Sequence, residues 1–494
     1  MTELHLPWLE ASILAPLVGA GWVARCRDNE HARKWCVIAC GFTLLVTTGA
    51  WQDFRLLGAV QADDHWRLLS RWTGHEILVI DQLSTPLLPL AALMYFLTTI
   101  ATVRAKNRMF SFSSTLISEA ILLATLSCKD PRWVIGLLAL GTVPPYLELV
   151  ACKKPTRVYV LHMALFVGLM VAGWSFVEHE GNQRVHTLWG IVPLFGAVLI
   201  RCGMSPFHCW MTELFEHATF GTALLFVVPM VGAYAAVRLV LPIAPDWILR
   251  SMGLISLVTA VYASGMALVE RDARRFFCYL FLSHSALVLV GLEMVTPIGL
   301  TGALCVWISV SLALGGFGLT LRALEARRGR LSLVDFGGLY DHTPNLAMCF
   351  ALTGLASVGF PGTFGFVGTE LLVDGVVEAY PYVGVAVVLA AALNGIAIVQ
   401  AYFRIFAGTS YASSVSLRVR VRERYAVLAL ATLILIGGLY PQPYVSGRHL
   451  AAEEILLERM PPAAADRTST DRHARAGLAR VATGSADFGL PPVP

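Results

Sequence analysis

Long runs without a charged residue decide most of what this chain can become. Residues 188–200, 222–237 and 383–400 contain no Asp, Glu, Lys or Arg. A helical membrane span needs about 20 apolar residues, whereas a barrel strand alternates over about 10. These runs do not alternate. Hydrocarbon offers the backbone no hydrogen-bond partner, so such runs satisfy their own donors by becoming helices. Composition agrees: of 494 residues, 56% are hydrophobic and 14% charged, where an average soluble chain carries about 25% charged. That much apolar surface exceeds what one or two soluble cores hide. A soluble enzyme and a disordered chain are excluded, and an all-α multi-spanning membrane protein is left.

The pattern predicts fourteen spans, near 7–25, 35–52, 77–103, 111–128, 132–152, 157–177, 187–205, 219–241, 250–269, 275–293, 297–322, 344–377, 381–407 and 425–441. From 450 onward Ala, Arg, Pro and Ser dominate and no apolar period survives, which predicts a mostly disordered tail after one surface helix at 450–460. Lys and Arg in short loops set orientation. One set of loops holds twenty-one of them, from Arg25, Arg27, Arg33 and Lys34 to Arg418, Arg420, Arg422 and Arg424. The opposite loops hold seven: Arg55, Arg67, Arg71, Lys129, Arg132, Arg184 and Arg250. Odd-numbered helices therefore run inward, both termini lie on the outer side, and a bacterial-type inner membrane is expected.

Other classes find little support. A net charge of +4 is too mild for nucleic acid. The ten cysteines are scattered and form no CxxC, so neither a metal cage nor a disulfide framework is expected. Cys202, His208 and Cys209 flank a helix break and look superficially like ligands; they are read as packing residues. There is no pattern for an iron–sulfur cluster, a nucleotide loop or a haem, so no cofactor is expected, and any redox step belongs to partner proteins. No cleavable leader is expected after acidic Glu3, with no basic stretch before the apolar run.

Two spans read as broken. Met204-Ser205-Pro206-Phe207-His208 lies near the end of one, and Gly359-Phe360-Pro361-Gly362-Thr363 in the middle of another. Proline removes a donor and clashes with the preceding turn, and glycine adds freedom at the same place. Interrupted helices in corresponding places of two halves point to an ion path.

These residues resemble a family. Arg201-Cys-Gly-Met-Ser-Pro-Phe-His-Cys-Trp-Met, with Gly232-Ala-Tyr-Ala-Ala-Val-Arg238, is similar to a signature of the antiporter-like subunits of respiratory complex I and of Mrp-type antiporters. Asp81-Gln-Leu-Ser84, Asp272-Ala-Arg-Arg275 with Ser283-His284-Ser285-Ala286, Gly337-Gly-Leu339 with Gly359 to Gly368, and Gly438-Leu-Tyr-Pro-Gln-Pro443 follow in the family's order. The "GxPGT" and "YPQP" segments most resemble the M-type subunit of NADH–quinone oxidoreductase. The resemblance implies a fourteen-helix bundle with two inverted five-helix repeats, each with a broken helix. It divides the chain into 1–76 (N-terminal helices and outer loop), 77–445 (antiporter-like proton-translocating domain) and 446–494 (polar tail).

The resemblance also implies a midplane row of charged residues. Ala139 stands where the family's fifth span has a glutamate, with Glu148 nine residues later. Arg201 replaces the seventh-span lysine and keeps the charge, but a guanidinium stays protonated. Met230 replaces the eighth-span lysine, and Val310 the eleventh-span histidine. Thr369 falls on the twelfth-span charge, with Glu370 beside it and Asp374 one turn on. His208 matches the family's histidine, Glu213 its aspartate, and His284 an inner half-channel residue. Arg201, His208, Glu370, Glu148, His284, Glu213 and Asp374 are thus the expected proton-pathway residues, with Glu119 and His162 as further ionisable groups inside apolar spans. The expected function is a proton-conducting membrane subunit of a complex-I-like or antiporter-like assembly, with other membrane subunits and a peripheral redox or uptake subunit as partners. The alternatives are a membrane partner in an inorganic-carbon or other ion-coupled uptake complex and a scaffold that no longer conducts.

Overall fold

Two helices with almost no free side organise the structure, a computed structural model that describes residues 2–66, 71, 74, 76–102, 110–181, 186–409 and 421–459, with 421–423 by backbone alone. Arg67, Arg104, Lys106, Arg108, Arg184, Arg418, Arg420 and the tail from 460 lie outside the described residues. In chain order the elements begin with β1 (Thr2–Glu3), α1 (Trp8–Ala24), α2 (Asn29–Leu57), β2 (Gln61–Asp63), β3 (Val79–Asp81), α3 (Leu87–Ile100) and α4 (Phe112–Leu126). There follow α5 (Pro131–Gly141), α6 (Val143–Ala151), α7 (Arg157–Glu180), α8 (Leu188–Cys202), α9 (Cys209–His217), α10 (Phe220–Val227) and α11 (Val231–Ala235), which runs into a π-turn at Ala236–Val240. The remainder are α12 (Asp246–Val269), α13 (Ala273–Glu293), α14 (Pro297–Arg328), α15 (Pro344–Ser357), α16 (Phe364–Ala379), α17 (Pro381–Phe406), α18 (Val421–Leu439) and α19 (Gln442–Arg459).

Burial ranks these helices. The most apolar stretches of α13 and α14 are 94% and 100% buried, against 28% for α7, so α13 and α14 form the centre and α7 the rim. Small residues permit the close approach that packing in a membrane requires. A side chain on Gly302 of α14 would meet the Leu372 backbone nitrogen of α16 at 2.4 Å, and one on Gly375 of α16 would meet Gly299 at 2.4 Å.

Eight described helices or helix pairs are long and apolar enough to cross a membrane, and nine if α18 and α19, bent by 80°, count as one span. Five further apolar helices, among them α1, α3 and α8, are shorter. The chain is a predominantly helical multi-pass membrane protein, and among the described residues fewer helices reach full span length than the fourteen expected. Breaks divide several of the long apolar runs into shorter helices.

Both expected breaks occur. α8 ends at Gly203, whose φ of +71° is left-handed backbone that suits glycine, and α15 ends before Gly359 at φ +83°. A third break falls inside the span expected to run unbroken over 219–241. Pro229 ends α10, and Met230 sits at φ +50° before α11 begins; proline cannot continue the hydrogen-bond ladder there.

Two expectations at the chain ends need correction. β1, β2 and β3 form a small sheet, too short for alternation to reveal. The helix expected at 450–460 begins at Gln442 and is no surface helix: Ala451, Ala452, Ile455 and Leu456 are buried, and the Arg448 guanidinium donates to the Leu83 carbonyl at 3.1 Å.

Candidate functional site

The resembling motifs first account for scaffold. Asp81 and Ser84 cap one another, with Ser84 N donating to Asp81 Oδ1 at 2.9 Å and Asp81 N to Ser84 Oγ at 3.2 Å. The Asp81 carboxylate also accepts two bonds from Arg238, at 2.5 and 2.9 Å. Two distant motifs are thus locked by one buried, bidentate pair, with the Tyr234 ring beneath the guanidinium at 5.0 Å. Asp272 caps α13 by accepting from Arg274 N at 2.8 Å, and Arg274 pairs with Glu325.

Arg201 is the one expected site residue whose charge is buried at a helix break. It lies in the last turn of α8, 4% exposed. Its Nη2 donates to the Phe226 carbonyl at 3.1 Å, and its guanidinium lies 4.1 Å from the Phe226 ring and 5.5 Å from the Trp210 ring. A desolvated cation over an aromatic face gains about 2 kcal/mol. No carboxylate pairs with it within 4.0 Å among the described residues. Two cavities flank it. One of about 30 Å³ is bordered by Tyr95, Ser118, Thr125 and Phe226, and one of about 20 Å³ by Met230, Phe281 and Ser285. Each is large enough for roughly one water.

His284 is buried on α13 next to Ser285, which borders the second cavity. Its Nδ1 lies 2.7 Å from the Leu280 carbonyl. Beside it, Asn394 Nδ2 donates to Ser283 Oγ at 2.8 Å, while Asn394 Oδ1 is buried without a partner among the described residues.

The other expected residues lie elsewhere. Glu148 is buried, but both oxygens are taken: it accepts from Thr219 N at 2.8 Å and from the Thr222 hydroxyl, capping α10. His208 is half-buried between Tyr262 and Tyr279, with ring centroids 5.6 and 6.0 Å away, and its Nδ1 has no partner among the described residues. Glu213 is half-buried on α9. Glu370 and Asp374 are exposed on the outer face of α16, together with Glu378. The seven expected residues therefore do not share one interior row: Arg201 borders both small cavities, His284 is buried one residue from Ser285, Glu148 is held by Thr219 and Thr222, and Glu370 and Asp374 are exposed. The spacing of Glu370 from Thr369, about 100° around a helix, is the sequence signal for that outward turn. No group of three His, Cys, Asp or Glu side chains arranged for a metal exists among the described residues.

Sequence reasoning gave little weight to Glu119. It is fully buried on α4, accepts from Cys40 Sγ at 3.0 Å, and leaves Oε1 without a partner among the described residues. Its only signal in the sequence was a lone acid within an apolar run.

Comparison with known proteins fits this architecture. Residues 158–394 match the family described as NADH:quinone oxidoreductase/Mrp antiporter, TM. NAD(P)H-quinone oxidoreductase chain 4 1 of Synechococcus elongatus is 25% identical over 482 residues, covering 90% of each chain. A chain of respiratory complex I from Thermus thermophilus superposes with a TM-score of 0.80 at 21% identity, over 92% of this chain and 100% of that one. A chain of the Mrp complex from Dietzia sp. gives 0.80 at 17% identity, over 91% of this chain and 97% of that one. The motif order, the breaks and the fold agree with that family match, which spans residues 158–394, and the chain shares the fold of these antiporter-like subunits.

Proposed function

We propose that the chain conducts protons within a larger membrane assembly, along a shortened interior row centred on Arg201. The observation that carries this reading is the pair of water-sized cavities on either side of that buried guanidinium, one bordered by Tyr95, Ser118 and Thr125 and the other by Ser285. A charge buried in a membrane protein is costly and marks an ion path by default. Arg201 does not itself exchange a proton; it fixes a positive charge that orients neighbouring waters and hydroxyls. Protons pass through those waters toward His284. Coupling arises when a partner subunit changes the proton affinity of a row residue, and linkage makes that effect reciprocal.

In this reading the eight long spans, the five shorter apolar helices and the bent pair α18–α19 make fourteen spans, arranged as two inverted five-helix repeats. Both termini lie opposite the basic loops, in a bacterial-type inner membrane. Other membrane subunits flank the chain, and a peripheral redox or uptake subunit supplies the driving reaction.

A second reading, a non-conducting scaffold, is favoured by the capped Glu148 and the outward Glu370 and Asp374. Reconstitution of the full chain in liposomes holding a pH-sensitive dye separates the two. Conduction predicts proton flux in the wild type and a loss of roughly tenfold or more in Arg201→Met. The scaffold predicts the same background leak in both.

A further inference from the structure

The interior row needs an acid, and the position at which the family resemblance places one is Ala139. We propose that Glu119, from the neighbouring helix α4, is the proton-exchanging acid of this row, filled from the basic end of the bundle. This inference rests on the reading above and adds to it a residue, an entrance and a route.

The route can be followed turn by turn. At the basic end a cavity of about 640 Å³ is bordered by Asn29 and Ala32 of α2 and by Phe112 and Ser113 of α4. Cys36 and Cys40 stand one and two turns beyond Ala32 on the same face of α2, because residues four apart are neighbours on a helix. Cys36 Sγ lies 3.8 Å from the Phe112 carbonyl, and Cys40 Sγ donates to Glu119 Oε2 at 3.0 Å. On the far side, Ser118 precedes Glu119 and shares a 2.8 Å hydrogen bond with Tyr95. Both hydroxyl residues border the cavity that reaches Arg201. A large vestibule, two thiols, one acid, two hydroxyls and one guanidinium therefore follow in order.

The chemistry asks for nothing beyond these groups and water. Glu119 is fully buried, and no cation pairs with it within 4.0 Å among the described residues. An isolated carboxylate in such surroundings takes up a proton rather than remain charged. At rest the acid holds that proton. In transfer its O–H bond breaks, and a proton moves along the Ser118 and Tyr95 hydroxyls to a water beside Arg201. Arg201 keeps its own proton throughout, and its charge balances the carboxylate left behind. A second proton from the vestibule then re-forms the O–H bond. The groups against Glu119 are Cys40 from α2, with Cys36 and Thr99 beside that thiol, and Tyr95 from α3, which bonds Ser118.

The test uses the full chain in liposomes, with infrared spectroscopy of the protonated-carboxyl band and dye-reported flux on the same samples. The proposal predicts a carboxyl band that is absent in Glu119→Gln, shifts when H₂O is replaced by D₂O, and accompanies a roughly 100-fold loss of flux in that variant. Cys40→Ala, which removes the thiol and keeps the acid, is expected to slow the D₂O shift while preserving the band. The proposal is overturned if Glu119→Gln loses no band, if the band ignores D₂O, or if the folded variant conducts like the wild type. If the wild type conducts nothing yet the band is present and exchanges, the conduction reading fails, while Glu119 stands as an exchangeable acid.

Discussion

Asp64, next to the small sheet, shows how one side chain reports on its surroundings. Its Oδ2 accepts from Glu10 N at 2.7 Å and so caps α1 from a distant loop. Burial pushes its carboxyl up from 3.8 to about 6, against the lowering effect of the Glu10 and Leu9 amides. The folded state thus binds this proton more tightly than the unfolded chain does. Stability from this group is complete below the unfolded value of 3.8 and is lost as pH rises to about 6, a total of up to about 3 kcal/mol. Asp64→Asn is expected to melt higher than the wild type above pH 6 and to lose that advantage toward pH 4, as thermal unfolding in detergent measures. The Asp81–Arg238 pair is the opposite case, because each charge has its partner. Removing one alone, as in Arg238→Gln, strands a buried carboxylate and costs about 3–5 kcal/mol, read as a lowered melting temperature. The sequence marks both residues through its motifs, but not that they pair: they lie 157 positions apart, and only the fold brings them together.

At the scale of the element, Glu148 serves a helix it does not belong to. It accepts from the Thr219 amide and the Thr222 hydroxyl and so holds the N-cap residue in place, while Thr219 Oγ1 accepts from Thr222 N in the first turn. Glu148→Ala is therefore expected to cost about 1–2 kcal/mol of stability while leaving proton flux within twofold of the wild type; a selective loss of flux at unchanged melting would make Glu148 a conducting residue instead. The breaks at 203–208 and 358–363 are legible because proline and glycine coincide there. The break at Pro229 is less so: a single proline within an apolar run is compatible with a kink, and Met230 gives no sign of its left-handed backbone. Helix contacts were also hidden. Nothing local marks Gly302 and Gly375 as the places where α14 and α16 touch, since their role depends on which helix lies opposite.

For the whole molecule, hydrophobic run length made the class legible and motif order the resemblance. The site was harder to read, because register within a helix sets which way a charge faces, and one residue of slip turns it by about 100°. Glu370, Asp374 and Glu378 recur every fourth position of α16 and are all exposed. In the isolated chain in detergent, Glu370→Gln with Asp374→Asn is expected to change stability by less than about 0.5 kcal/mol, since neither side chain packs inside the bundle.

In the proposed mechanism protons cross through the two small cavities beside Arg201. Filling each cavity without touching the charge tests it most directly. Thr125→Leu closes the cavity shared with Tyr95 and Ser118, and Ser285→Leu closes the one shared with Met230. In liposomes of the full chain, with melting curves confirming the fold, each variant is predicted to lose roughly tenfold or more of the wild-type flux. Wild-type flux in either folded variant would contradict the claim.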